Sequence, residues 1–199
     1  MTYLFAPLIL VMALTMQSEN VNALETAAYQ TIFQEGNIEI RHYDALMLVQ
    51  TTTNEGRDRN RAFRKLFRYI SGENSQAKKI SMTTPVFMDA PEHSDSKMSF
   101  VLPRDIAASV PPIPNDATVQ LSRSGEITLA AIRFSGRLTK NNIARNKREL
   151  LQWLNENDIA VQGPAQTAAY NSPFTLPFMR RNEVLIPVDP ASSPQSPDR

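Results

Sequence analysis

Between Arg57 and Lys79 the chain carries eight Lys and Arg against two acids, Asp58 and Glu73. That is a local charge of +6 in a 199-residue protein whose formal net charge is +1. Phe63 and Phe67 lie in the same stretch, spaced for one face of a helix, with Arg61 and Arg64 beside them. Guanidinium groups next to an aromatic stripe suit a flat, amphipathic ligand: rings cover its body and arginines grip its carboxylates. The same residues would also bind phosphates, or form only the solvated side of an amphipathic helix. The nearly neutral whole is no polycation, so nucleic acid is not an expected partner and any basic surface is local.

The other chemistry-bearing residues are sparse. His42 and His93 are the two histidines, too few for a multi-histidine metal site in one chain. Asp89, Glu92, His93 and Asp95 are ligand-type residues in one loop, which reads more simply as a solvated turn. Cysteine is absent, which removes disulfides, thiolate zinc sites, iron–sulfur clusters, covalent c-type haem attachment and cysteine nucleophiles together. With six glycines there is no phosphate cradle, nucleophile elbow, metalloprotease helix or EF-hand spacing. Neither histidine has a local context that suggests a general base, so the chain reads as a binder and not an enzyme.

The elements that must position these residues alternate between period two and period 3.6, the pattern of an α+β domain. Ile38 to Tyr43 and Leu46 to Thr52 read as strands, ended by Asn54-Glu55-Gly56. Ala62, Phe63, Leu66, Phe67 and Ile70 mark one face of a helix over 58–71, capped by Gly72. Strands follow at 79–88 and 98–102, then the extended connector Val110-Pro111-Pro112-Ile113-Pro114. Beyond it come strands at 118–122 and 127–134, a helix over 139–156 and strand material at 183–188. Gly56, Phe63 and Ile70 match Gly136, Ile143 and Leu150 at an offset of eighty, which predicts a degenerate duplication with halves at about 29–105 and 116–188.

The ends read differently. Residues 1–18 carry no charge, and the thirteen residues Leu4 to Met16 have the length of a signal-peptide core and are short for a membrane span. Cleavage after Ala23 would export the chain, to a periplasm or out of the cell, with no stable span left in residues 24–199. Otherwise it would stay cytoplasmic. The Pro/Ser-rich tail over 189–199 is expected to be disordered.

Seven collinear pieces give a resemblance. They are Ile38-Glu39-Ile40-Arg41-His42-Tyr43, Tyr69-Ile70-Ser71-Gly72-Glu73-Asn74, Ile80-Ser81-Met82-Thr83-Thr84-Pro85-Val86, Phe100-Val101-Leu102-Pro103, Phe134-Ser135-Gly136, Tyr170-Asn171-Ser172-Pro173 and Arg180-Arg181-Asn182-Glu183-Val184. Running in order from about Tyr29 to Val188, they resemble the SOUL/haem-binding-protein family. The resemblance implies an α+β fold: a distorted, mostly antiparallel β-barrel from two pseudo-symmetric βαββ-type repeats, flanked by two α-helices. It also implies reversible, non-covalent binding of haem or other porphyrins, as a carrier or buffer, with no reaction attached.

Transferred by position, the resemblance offers Phe63, Phe67, Phe178 and Met179 as the wall of the tetrapyrrole site, and Arg61, Arg64 and Arg180 as partners of the propionates. His42 shares the strand parity of Ile38 and Ile40. It is the candidate axial ligand to iron, or an ordinary strand histidine. Arg41, Arg181 and Glu183 read as an ion network holding the halves together, and Asn171 and Asn182 as satisfying turn backbone. Two rival readings use the same fold: a small-ligand-sensing or scaffold module, and an enzyme acting on a tetrapyrrole or ester.

Overall fold

The computed structural model of the protein describes residues 24–53, 58–89 and 96–192. The leader (1–23), the strand-ending Gly56, Arg57, the loop residues Glu92, His93 and Asp95, and the tail beyond Ser192 lie outside them. Eleven strands and three α-helices are described. In chain order the first half gives β1 (Glu25–Thr26), β2 (Gln30–Glu35), β3 (Ile38–Tyr43), β4 (Met47–Thr52), α1 (Arg59–Ile70), β5 (Thr83–Thr84), β6 (Val86–Asp89), β7 (Lys97–Val101) and α2 (Arg104–Ala107). The second gives β8 (Val119–Arg123), β9 (Ile127–Phe134), α3 (Lys140–Glu156), β10 (Gln166–Ala169) and β11 (Asn182–Pro187).

Nine strands form one sheet in the order β2-β3-β9-β11-β10-β6-β7-β4-β8, every neighbouring pair antiparallel. A separate parallel pair joins β1 to β5. From β3 to β8 the order is palindromic: exchanging β3, β4, β6 and β7 for β8, β9, β10 and β11 returns the same sheet read from the other end. The two-fold point falls between β6 and β10, where Phe87 faces Ala168.

The barrel implied by the resemblance is not there. The sheet is open, with β2 and β8 as its two edges and no pairing between them. Both long helices pack on one face of the sheet, so that face is buried against helices and not against its own far strands. The edges are also poor templates for closure. β2 shifts register between Thr31 and Phe33, and β8 carries Gln120, Ser122 and Arg123.

Strand parity sorts the side chains. Ile38, Ile40, Ala130, Ile132, Val184 and Ile186 meet Ile143, Leu150 and Leu154 of α3. Val49, Val86, Met88, Met98 and Phe100 meet Ala62, Leu66, Tyr69 and Ile70 of α1. The opposite face packs Tyr43, Phe87, Leu129, Ala131 and Leu185 around Ala27. Helix α3 starts at Thr139, whose hydroxyl accepts from the Asn142 amide at 3.2 Å. Helix α1 ends in a Schellman turn: Glu73 N donates to Arg68 O at 3.0 Å and Gly72 N to Tyr69 O at 3.2 Å, with Gly72 at φ +113°. Pro190–Ser192 form a 3-10 turn that follows β11, anchored by Asp189 N donating to Ala160 O at 2.9 Å.

Candidate functional site

A cleft of about 630 Å³ opens on the helix-bearing face, over the middle of the sheet. This is a volume typical of small-molecule sites. Its floor is apolar, made by Val86 and Met88 of β6, Met98 of β7 and Ala169 of β10. Phe63 forms one wall and Leu138, just ahead of α3, the other. The methionine thioethers give the floor a polarisable, adaptable surface. Phe63 is fixed from behind by Phe100, ring centroids 5.2 Å apart, and Phe67 stacks on it at 6.1 Å. An aromatic ladder thus runs from the core through the cleft wall to the surface, where Phe67 is half exposed.

The rim is cationic and amide-rich: Arg59, Asn60 and Arg64 from the first turns of α1 face Asn171, Arg180 and Asn182 across the opening. Arg59 is half-buried, and burial pushes its guanidinium below the ordinary arginine range. Among the described residues neither Arg59 nor Arg64 has an ion-pair partner. The first turn of α1 holds no acid, and Asp58 is its N-cap. Such a cleft is complementary to an apolar body carrying an anionic group at its edge.

The residues expected from sequence are divided by the fold. Phe63, Arg64 and Arg180 line the cleft together. Arg180 spends its side chain on its own loop, Nε donating to Thr175 O at 2.8 Å and Nη2 to Pro173 O at 2.5 Å, so it shapes the rim as well as charging it. Arg61 lies on the outer face of α1 with Lys65, Arg68 and Asp116. Phe178 and Met179 sit in the 3-10 turn Pro177–Met179, their side chains turned to solvent at the lip. His42 is on β3, with β9, β11 and β10 between it and β6, and is not among the cleft residues. Its Nδ1 is 3.4 Å from Thr128 Oγ1 and its Nε2 4.0 Å from Glu126.

Sequence reasoning did not single out Arg59, Met88, Met98 or Leu138 for the site. A usable signal existed for Arg59: it stands one turn before Phe63, on the same face of α1. Met88 and Met98 are directly paired across β6 and β7, a register that no local pattern announces.

Asn171 and Asn182 do satisfy backbone: Arg181 N donates to Asn171 Oδ1 at 2.6 Å, and Asn182 Nδ2 to Gly136 O at 2.9 Å. The ion network also exists, on the sheet face away from the cleft. Glu183, fully buried, accepts from Arg41 Nη1 at 2.6 Å and Nη2 at 3.0 Å, from Arg181 Nη2 at 2.7 Å and from the Tyr170 hydroxyl at 2.9 Å. Burial works to raise the Glu183 pKa, and the bonds from Arg41 with the charges of both arginines outweigh it, leaving the carboxyl below its ordinary value. Burial and then the Glu183 charge push the Tyr170 hydroxyl up.

The fold and the rim motifs can be set beside known proteins. The C-terminal domain of EcmrR superposes with a TM-score of 0.54 at 11% identity, covering 81% of this chain and 98% of that one, a likeness of fold alone. Heme-binding protein 2 of Mus musculus is 32% identical over 167 residues, 77% of this chain and 78% of that protein. Heme-binding protein 2 of Homo sapiens is 30% identical over 166 residues, again 77% and 78%. The profile described as SOUL heme-binding protein matches residues 24–187, a span that holds every cleft residue and the whole Arg41–Glu183–Arg181 network. The chain therefore belongs to the SOUL heme-binding protein family.

Proposed function

We propose that the cleft binds haem or a related tetrapyrrole reversibly and non-covalently, and that the protein works as a carrier or buffer without catalysing a reaction. The observation that carries this reading is Arg59, a half-buried guanidinium on the rim of an apolar cleft with no acid partner among the described residues. The macrocycle would lie over Val86, Met88 and Met98 against Phe63, with its propionates turned toward Arg59 and Arg64. A bound haem would supply the iron and its redox chemistry. This chain's residues enclose the ring, exclude water from its faces and hold its charged edge.

Visible-absorption titration with ferric haem and with iron-free protoporphyrin tests this. The expected result is saturable one-to-one binding of both ligands, unchanged in His42→Ala, because His42 stands outside the cleft. A Soret shift abolished by His42→Ala would make that histidine the axial ligand and move the site to β3. Failure of both porphyrins to saturate would sink the tetrapyrrole reading in favour of a sensing or scaffold module. Export is part of the proposal as well, resting on the apolar run Leu4 to Met16. N-terminal sequencing of the protein from its native cell would find Leu24 first, and a retained Met1 would refute it.

A further inference from the structure

The loop between β10 and β11 exposes four large apolar side chains within six residues: Phe174 is 93% exposed, Leu176 56%, Phe178 73% and Met179 62%. This exposure is not slack in the loop. Gly136 N donates to Pro177 O at 2.8 Å, Met179 N to Leu176 O at 2.9 Å, and the Arg180 side chain ties down the Thr175 and Pro173 carbonyls. A backbone held this closely, with its apolar side chains outside, presents a surface for something else to cover.

Charge says what that is. The loop is one lip of the cleft; the other is α1, whose outer face bears Arg61, Arg64, Lys65 and Arg68 against Asp116 and Glu73, a net positive surface, and Arg64 lines both the cleft and that face. Phe67, half exposed, stands among these cations. Aromatic and aliphatic side chains rimmed by Arg and Lys are the composition of a surface that lies in the interface of an anionic bilayer. A second copy meeting this face with its own would set positive charge against positive charge. We infer that the cleft mouth docks on anionic phospholipid membranes, with Phe174, Leu176, Phe178 and Met179 entering the interface and the α1 cations holding lipid phosphates. No described helix is long and apolar enough to cross a membrane. The inference does not rest on what the cleft holds.

The chain has no cysteine, so one introduced residue can carry a label without background. Leu176→Cys in the full chain, tagged with an environment-sensitive fluorophore, is mixed with phosphatidylcholine vesicles containing about 30% phosphatidylserine. Phe174→Cys serves as a second labelling site, and Gln152→Cys, exposed on α3, as the control. The lip labels should brighten and the control should not. Partition should weaken more than about tenfold when phosphatidylserine is left out, and more than about tenfold on the phosphatidylserine vesicles when Lys65→Glu and Arg68→Glu are made together. Silent lip labels, equal responses at lip and control, or indifference to the charge reversals would each overturn the inference. Porphyrin titration of the same labelled protein separates the two readings. Saturation without a vesicle response defeats docking alone, and a vesicle response without saturation leaves docking standing.

Discussion

Arg59 and Arg61 show how finely function is divided along one helix. Two positions apart on α1, they point to different surroundings: Arg59 to the cleft rim, Arg61 to the outer basic face. Arg59→Ala is expected to weaken haem and protoporphyrin on the order of tenfold, the worth of a charge-assisted hydrogen bond. The dimethyl ester of protoporphyrin, lacking propionate charge, should bind Arg59→Ala and wild type alike; equal losses for both ligands would assign Arg59 to packing. Glu183 carries a different kind of burden. Removing its charge leaves Arg41, itself almost fully buried, with Glu39 as its one carboxylate among the described residues, and Glu183→Gln should cost about 3 kcal/mol in a urea-unfolding comparison. The pH dependence follows from the depressed pKa of Glu183. Its stabilisation is complete above the ordinary value of 4.5 and drains as the pH falls below that, through the lowered folded value. Urea midpoints measured from pH 7 down through this window should fall in wild type, and fall less in Glu183→Gln.

Elements were legible in proportion to how local their cause is. Strand β9 occupies 127–134 as expected, and α3 spans Lys140–Glu156 against the expected 139–156, since large apolar residues at the right period mark both. Strand β10 was missed. Gln166-Thr167-Ala168-Ala169 has no large apolar side chain, so no period of two marks it as a buried strand. The N-terminal strands β1 and β2 were passed over as well, being largely exposed edge material. Closure was misjudged because whether a sheet's two ends meet depends on register and on which face the helices take, neither of which is written in any single segment. The end of α1 was readable from one residue. Gly72 at φ +113° stands where a Cβ is strained, so Gly72→Ala should lower stability by about 1–2 kcal/mol with the cleft intact, as read by thermal melting alongside porphyrin titration.

On the scale of the molecule, the palindromic strand order is what a duplicated ββαββ unit would produce, and we propose that the chain arose by such a duplication. The halves are interleaved: β9 of the second lies beside β3 of the first, and β4 of the first beside β8 of the second. Segments 24–105 and 116–192 made as separate chains should each be unfolded alone and co-purify as a folded pair. A half that folds by itself would refute this mutual dependence.

Strand order also bears on how the chain comes into being. The last described strand in chain order, β11, sits inside the sheet between β9 and β10. Until Asn182–Pro187 have left the ribosome, those two neighbours are raw edges, and Arg41, paired with Glu39 at 2.7 Å, lacks its two-pronged partner 142 residues downstream. The sheet is therefore complete only after β11 has been made. A nascent sheet that waits for β11 passes through an interval in which chaperones must keep β9 and β10 apart from other strands.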